Sequence, residues 1–202
     1  MIKSISEERK SGLKNEFKEL LFSTKRENIE SLWNWLENET DFFDAPASAQ
    51  FHGDFDGGLA VHSMNVYKLL KNFTKNIGYD REDSLIIAGL LHDVCKANFY
   101  TKGKKNVKVL DERTGRYEWV EEEYYATDDS FPMGHGEKSV FLIMRHIQLT
   151  DDEAMAIRWH MGGYDDTARS FLGGKAQSAA YRMYPLAPAL SIADMYATYF
   201  AE

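Results

Sequence analysis

A predominantly helical bundle with one small inserted β-ribbon is the fold class predicted by this 202-residue sequence. Three observations carry that expectation. Apolar residues recur at helical spacing in most segments, and short extended pieces flank a polar turn in one region only. With 44% hydrophobic content the chain can bury one sizeable core, and its length is short for two independent domains. Residues 1–202 therefore read as a single domain, with 1–45 as an N-terminal helical extension and 99–130 as the ribbon insertion.

Residues 5–21 and 24–38 read as two amphipathic helices, striped by Leu13, Phe17, Leu20 and Leu21 and by Ile29, Leu32, Trp33 and Leu36. Ser23 and Thr24 are the expected caps that start the second. The stretch 39–58, with Pro46, Gly53, Gly57 and Gly58, reads as a loop. Helical spacing returns at 59–77 through Leu59, His62, Val66, Leu69 and Leu70. A further helix is expected over 81–96, capped by Asp80 and ending in LLHDVCK.

Over 99–130 the pattern changes. Val107–Leu110 and Arg116–Val120 look extended around a turn containing Gly115. Tyr100, Tyr117, Trp119, Tyr124 and Tyr125 cluster there, suited either to pack the ribbon on its support or to stack on a base. Lys102, Lys104, Lys105 and Lys108 make the region read as locally basic. Helices follow at 134–147, at 151–160 with Asp151 as cap, and at 186–201 with Pro185 and Pro188 near its start. The stretch 161–178 reads as a loop with a small helical turn, and its LGGK is too short a signal for nucleotide binding.

Charge and composition narrow the function. With 24 basic against 32 acidic residues the formal net charge is −8, which opposes capture of duplex DNA. A small phosphate ester remains compatible, because metal-holding carboxylates are neutralised by their ions. No apolar run approaches a membrane span, the start MIKSISEERKSGLKNEF has no secretory apolar region, and Cys95 is the single cysteine. The expected setting is the cytoplasm, with no membrane partner; protein partners are left unspecified.

The chemistry centres on His92-Asp93, since imidazole and carboxylate both bind borderline divalent ions. Neighbours on a helix diverge by about 100°, so both reach one ion only where a helix edge points at it or the last turn adjusts. An isolated pair of this kind is usually a surface feature. Here His92 follows an apolar run, His62 sits beside Leu59 and Val66, and Asp194 interrupts LSIADMYATYF, where an unpaired carboxylate is costly to bury. His135 in GHGEKSVFLI and His160 in AIRWHMGG also have apolar neighbours; histidines satisfied by backbone groups are the competing account. Together the six supply four nitrogens and two carboxylates, an inventory sufficient for two ions.

The ordered set GGLAVHSMNV, LLHDVCK, MGHGEKS, IRWHMGG and LSIADMY resembles the HD-domain metal-dependent phosphohydrolase superfamily over roughly residues 55–200. That resemblance implies His62, His92, Asp93 and Asp194 as the central ligands, His135 and His160 as the added ligands of two-metal members, and Asp93 as the bridge. It also implies hydrolysis of phosphate esters or anhydrides in nucleotides and nucleic acids. Cys95 departs from the glycine common at its place, while Lys96 is retained.

The expected cofactors are two divalent transition-metal ions, Mn or Fe by preference, with Ni, Co or Zn compatible. One ion would activate a water and the other would hold the phosphate, with Asp93 as the catalytic bridge. Lys96, one turn beyond His92, is expected on the substrate phosphate, against the alternative of a solvated lysine at a helix end. His52 and Asp54 in FHGDFDGG, and Glu137 beside His135, are secondary substrate-side candidates against ordinary loop packing. The leading function is a phosphodiesterase acting on a nucleotide, a cyclic nucleotide or a short single-stranded nucleic acid. A nucleoside monophosphate phosphomonoesterase and a noncatalytic metal-supported nucleotide-binding module are the alternatives.

Overall fold

The computed structural model describes residues 2–201. Among them eight α-helices surround one core: α1 (Glu7–Ser23), α2 (Ile29–Asn38), α3 (Gly58–Thr74), α4 (Glu82–Leu91), α5 (His135–Met144), α6 (Asp151–Trp159), α7 (Phe171–Met183) and α8 (Leu186–Tyr196). Between α4 and α5 lies an antiparallel pair, β1 (Tyr100–Asp111) and β2 (Arg116–Thr127), with Tyr100 opposite Thr127 and Asp111 opposite Arg116. The expected class, a helical bundle with a small ribbon insertion, is what the chain adopts.

Helix α3 packs against α4 and α8, and α6 packs against α5 and α8. Eight consecutive residues of α4, Ser84–Leu91, are buried, so this short helix runs through the interior and delivers His92 to its centre. A buried helix is apolar all round rather than striped. Two glycines set the helix spacing. A Cβ on Gly89 would lie 2.7 Å from Tyr67 Cα of α3, and one on Gly136 would lie 2.2 Å from Arg158 O of α6. Such approaches are open only to a residue without a side chain.

The N-terminal stripes complete this core. Phe17 and Leu21 of α1 and Ile29, Leu32, Trp33 and Leu36 of α2 are buried in the same cluster as α3, α4 and α8. Residues 39–57 form an anchored loop, in which Phe42 and Phe43 pack edge-on against Phe17 with centroids 5.6 and 5.5 Å away.

Several local expectations are corrected. Ser23 and Thr24 close α1 instead of opening α2: their hydroxyls donate to Leu20 O and Leu21 O, and α2 begins after Asn28 in a left-handed conformation. Asp80 gives α4 no side-chain cap. Helix α6 is capped by Thr150, not Asp151, in a reciprocal box with Glu153. The stretch read as a loop over 161–178 contains the start of α7, whose first turn carries LGGK and is capped by Ser170 Oγ accepting from Gly173 N. Only Gly173 and Ala180 of α7 are buried, so it lacks the apolar stripe that would reveal it.

The ribbon is also longer than its apolar pieces implied, because charged residues extend both strands. Lys104 Nζ meets Glu121 at 2.7 Å, and Lys105 stands opposite Glu122. The lysines of β1 therefore face a glutamate-rich β2, and the reading of a locally basic region gives way to a charge-balanced ribbon. Its base is fastened to the loop before α3, where Tyr125 Oη donates to Asp56 Oδ1 (2.8 Å) and Lys102 Nζ to Asp56 Oδ2 (2.7 Å). Among the described residues, no helix is long and apolar enough to cross a membrane.

Candidate metal centre

Five helices bring the six expected ligands to one place. His62 lies within α3 and Asp194 within α8; His92 and His160 are the residues that end α4 and α6, and His135 is the first of α5. Beyond His92 the backbone leaves helical geometry. Asp93 has φ −103° and ψ 16°, followed by a 3-10 turn over Val94–Lys96. This break is the adjustment that lets neighbouring His92 and Asp93 face one point.

The carboxylate of Asp93 divides the site in two. Its Oδ2 is 3.6 Å from the Nε2 atoms of both His62 and His92, while its Oδ1 is 2.7 Å from His135 Nε2 and 3.3 Å from His160 Nε2. Asp194 Oδ1 closes the first side, 3.1 Å from His62 Nε2 and 3.9 Å from His92 Nε2. Candidate ligand atoms fall into groups spanning at most 4.8 Å: His62, His92 and Asp93; His92, His160 and Asp194; and Asp93, His135 and His160. Two ions sharing Asp93 fit this donor set, and mixed imidazole and carboxylate ligands suit transition metals.

Hydrogen bonds behind the site fix the direction of the lone pairs. His92 Nδ1 donates to Gly89 O at 3.0 Å, and His160 Nδ1 donates to Ile157 O at 2.6 Å. Each bond leaves Nε2 as the bare nitrogen, aimed inward, which is the tautomer a metal ligand requires. The carbonyls are supplied by the last turns of the same helices, so the side chains need no further orienting partner.

Electrostatics in the centre show a demand for positive charge. Burial, together with the neighbouring histidines, pushes His92 down to about 3, keeping it neutral. His135 behaves oppositely: although burial opposes its charge, Cys95 and Asp93 raise it to about 10. Burial also works against ionisation of Asp93, yet Lys96, His92 and the hydrogen bond from His135 hold it well below the usual carboxylate range. Asp194 is depressed likewise, against burial, by His62 and His92. The buried Asp93 carboxylate thus draws in the cationic Lys96 and His135, the compensation that metal ions would supply.

The remaining expected residues are placed less uniformly. Lys96 is half-buried at the centre, with Nζ 2.7 Å from Asp93 Oδ2. His52 places its ring 4.7 Å from that of His62. Asp54 is exposed on the same loop. Glu137 pairs with Arg158 at 2.5 Å, and Arg158 also holds Asp165 at 2.7 Å. One contact had no direct sequence signal: Cys95 Sγ lies 3.5 Å from His135 Nδ1, and Cys95 N donates to Ser139 Oγ at 3.2 Å. The only hint was Cys95 standing where glycine is usual.

Residues 59–198 match the HD domain family. The chain belongs to that family, and its fold with clustered histidines and aspartates is consistent with catalytic phosphohydrolase activity. It is also similar to the 3'-5' exoribonuclease YhaM of Listeria monocytogenes and that of Listeria innocua. Each is 27% identical over 89 residues, covering 43% of this chain and 28% of the relative. The aligned part is thus under a third of the length of those curated relatives. No solved structure matches this chain.

Proposed function

We propose that this chain is a two-metal phosphodiesterase acting on a nucleotide, a cyclic nucleotide or a short single strand. The observation that supports it best is the division of Asp93, one carboxylate oxygen toward His62 and His92 and the other toward His135 and His160. The likeness to a relative named as an exoribonuclease supports the nucleic-acid side of the reading. Manganese or iron is our preferred metal, on the mixed nitrogen and oxygen donors. A cytoplasmic setting suits the free thiol of Cys95.

When bound, the ions supply an activated water and charge neutralisation at the phosphate. The protein's share is to hold them and place the substrate. Asp93 would bridge, His62, His92 and Asp194 would complete one side, and His135 and His160 the other. Lys96, already at Asp93, would swing its ammonium group toward a phosphate oxygen. His52 and Asp54, on the loop beside His62, would line the approach and assist the leaving group. Glu137 would act on this path only by releasing Arg158.

Product-resolved mass spectrometry of Mn-loaded protein with matched nucleotide monoesters, linear diesters and cyclic diesters tests the reading. Conversion of a diester with phosphate retained on one product, lost in Asp93→Ala, supports it. Inorganic phosphate released from monoesters alone makes the chain a phosphomonoesterase. No turnover with either Mn or Fe makes it a binding module.

A further inference from the structure

The two halves of the centre are not supported alike. His62, His92 and Asp194 come from α3, α4 and α8, which pack on one another through the core, with Gly89 of α4 against Tyr67 of α3. His92 and His160 each end a helix and are held from behind by a carbonyl of their own last turn, Gly89 O and Ile157 O. His135 has no such turn behind it. It is the first residue of α5, and residues 131–134 before it are all exposed. A helix start of this kind frays unless something outside the helix holds it.

What holds it is the turn that carries Asp93. Cys95, two residues beyond the shared carboxylate, is buried and makes two contacts with α5. Its Sγ lies 3.5 Å from His135 Nδ1 and 3.6 Å from His135 Nε2. The near-equal distances set the sulfur against the ring between its two nitrogens, where it stops the imidazole from turning, and not along a single N–H. The backbone N–H of Cys95 donates to Ser139 Oγ at 3.2 Å. Ser139 is fully buried and stands one turn beyond His135, so both contacts fall on one face of α5. One contact fixes the helix against the turn and the other fixes the ring. Between them, His135 Nε2 is set 2.7 Å from Asp93 Oδ1.

We propose that Cys95 and Ser139 are positioning residues that set the affinity of the half of the centre built on His135 and His160. Cys95 lies outside each converging group of ligand atoms, so its part is to hold His135 and not to bind an ion. The proposal rests on the two-metal reading above and adds that this second half depends on a clamp which the first half does without. Groups behind a metal ligand govern affinity because a ligand free to turn must be ordered when the ion binds. The two contacts can be cut separately: Ser139→Ala removes the acceptor and leaves the sulfur, while Cys95→Ala removes the sulfur and leaves the backbone donor.

The test is titration of manganese into the metal-free full chain, into Ser139→Ala and Cys95→Ala, and into Cys95→Ser, which keeps a side-chain atom against the ring. Equilibrium dialysis gives the stepwise affinities, and electron paramagnetic resonance separates an isolated manganese ion from a coupled pair. The wild type is expected to take up two ions and to show the coupled signal. Ser139→Ala and Cys95→Ala are each expected to bind the first ion as the wild type does and the second about ten- to a hundredfold more weakly. The isolated-ion signal then persists at manganese concentrations that give the pair in the wild type. Cys95→Ser is expected to lose less than Cys95→Ala. The urea midpoint of the metal-free proteins reports on folding, and equal weakening of both ions with a lowered midpoint would make the clamp a general packing contact and overturn the proposal. Two ions held by both alanine variants with wild-type affinities overturn it as well. A wild type that binds a single ion is a different failure, since it removes the two-metal reading and the clamp with it.

Discussion

Asp93 and His135 meet at 2.7 Å, Nε2 to Oδ1, while the other oxygen of the same carboxylate faces His62 and His92. One short side chain thereby joins the two halves of the candidate centre, and the two halves should separate under mutation. His135→Ala or His160→Ala should lower bound metal by one ion per chain and leave the other in place. Asp93→Ala should lose the paired centre altogether. Metal analysis by mass spectrometry after dialysis checks this, and equal losses in all three variants would contradict the division.

Gly136 is the next residue along α5, and a Cβ there would lie 2.2 Å from Arg158 O. Gly136→Ala should push α5 away from α6 and separate His135 from His160. The expected cost is about 1–3 kcal/mol in denaturant unfolding, with preferential loss of the second ion. A variant as stable as wild type with both ions retained would show that α5 yields without penalty.

The buried cluster on α6 is structural. Arg26 bonds both Glu153, which is fully buried, and Asp83, and Ser84 Oγ donates to Glu153 at 2.6 Å. Arg26→Met would leave that carboxylate uncompensated, at a cost of about 3–5 kcal/mol. Adding Glu153→Gln should restore much of the loss in urea titrations. No restoration would mean that Arg26 acts through packing.

Stability of the metal-stripped protein should peak near neutral to slightly acidic pH. His92 has a folded value of about 3, below its ordinary 6.5, so the unfolded chain takes up a proton as pH falls below 6.5 and stability declines. His135, raised to about 10, contributes stability below 6.5 that is lost as pH rises through its folded value. Urea midpoints across this range, compared with those of His92→Gln and His135→Gln, check both limbs. Midpoints independent of pH in the stripped wild type would contradict them.

Much of the bundle was legible because buried helices leave periodic apolar stripes, as at Phe17 and Leu21 or Leu32 and Leu36. Helix α7 was not, since it turns few apolar residues inward, and its glycines imitate a loop. Cap residues were misplaced by a position or more because Ser23, Asp80 and Asp151 have the right chemistry for a cap, while backbone geometry selects which candidate is used. That these six side chains belong together was legible because histidines and aspartates inside apolar runs require compensation. How Asp93 is divided was not, because it depends on the break in α4 and on the approach of α5 at Gly136. Nor did sequence reveal that Cys95 touches His135, or that the lysines of β1 are balanced by β2.

The most direct test of the central claim is anomalous scattering from crystals of Mn-loaded protein, recorded on both sides of the manganese edge. The account predicts two peaks, about 3.5–4 Å apart, on opposite sides of the Asp93 carboxylate. One would lie among His62, His92 and Asp194, the other between His135 and His160. A single peak, or peaks not sharing Asp93, would contradict it.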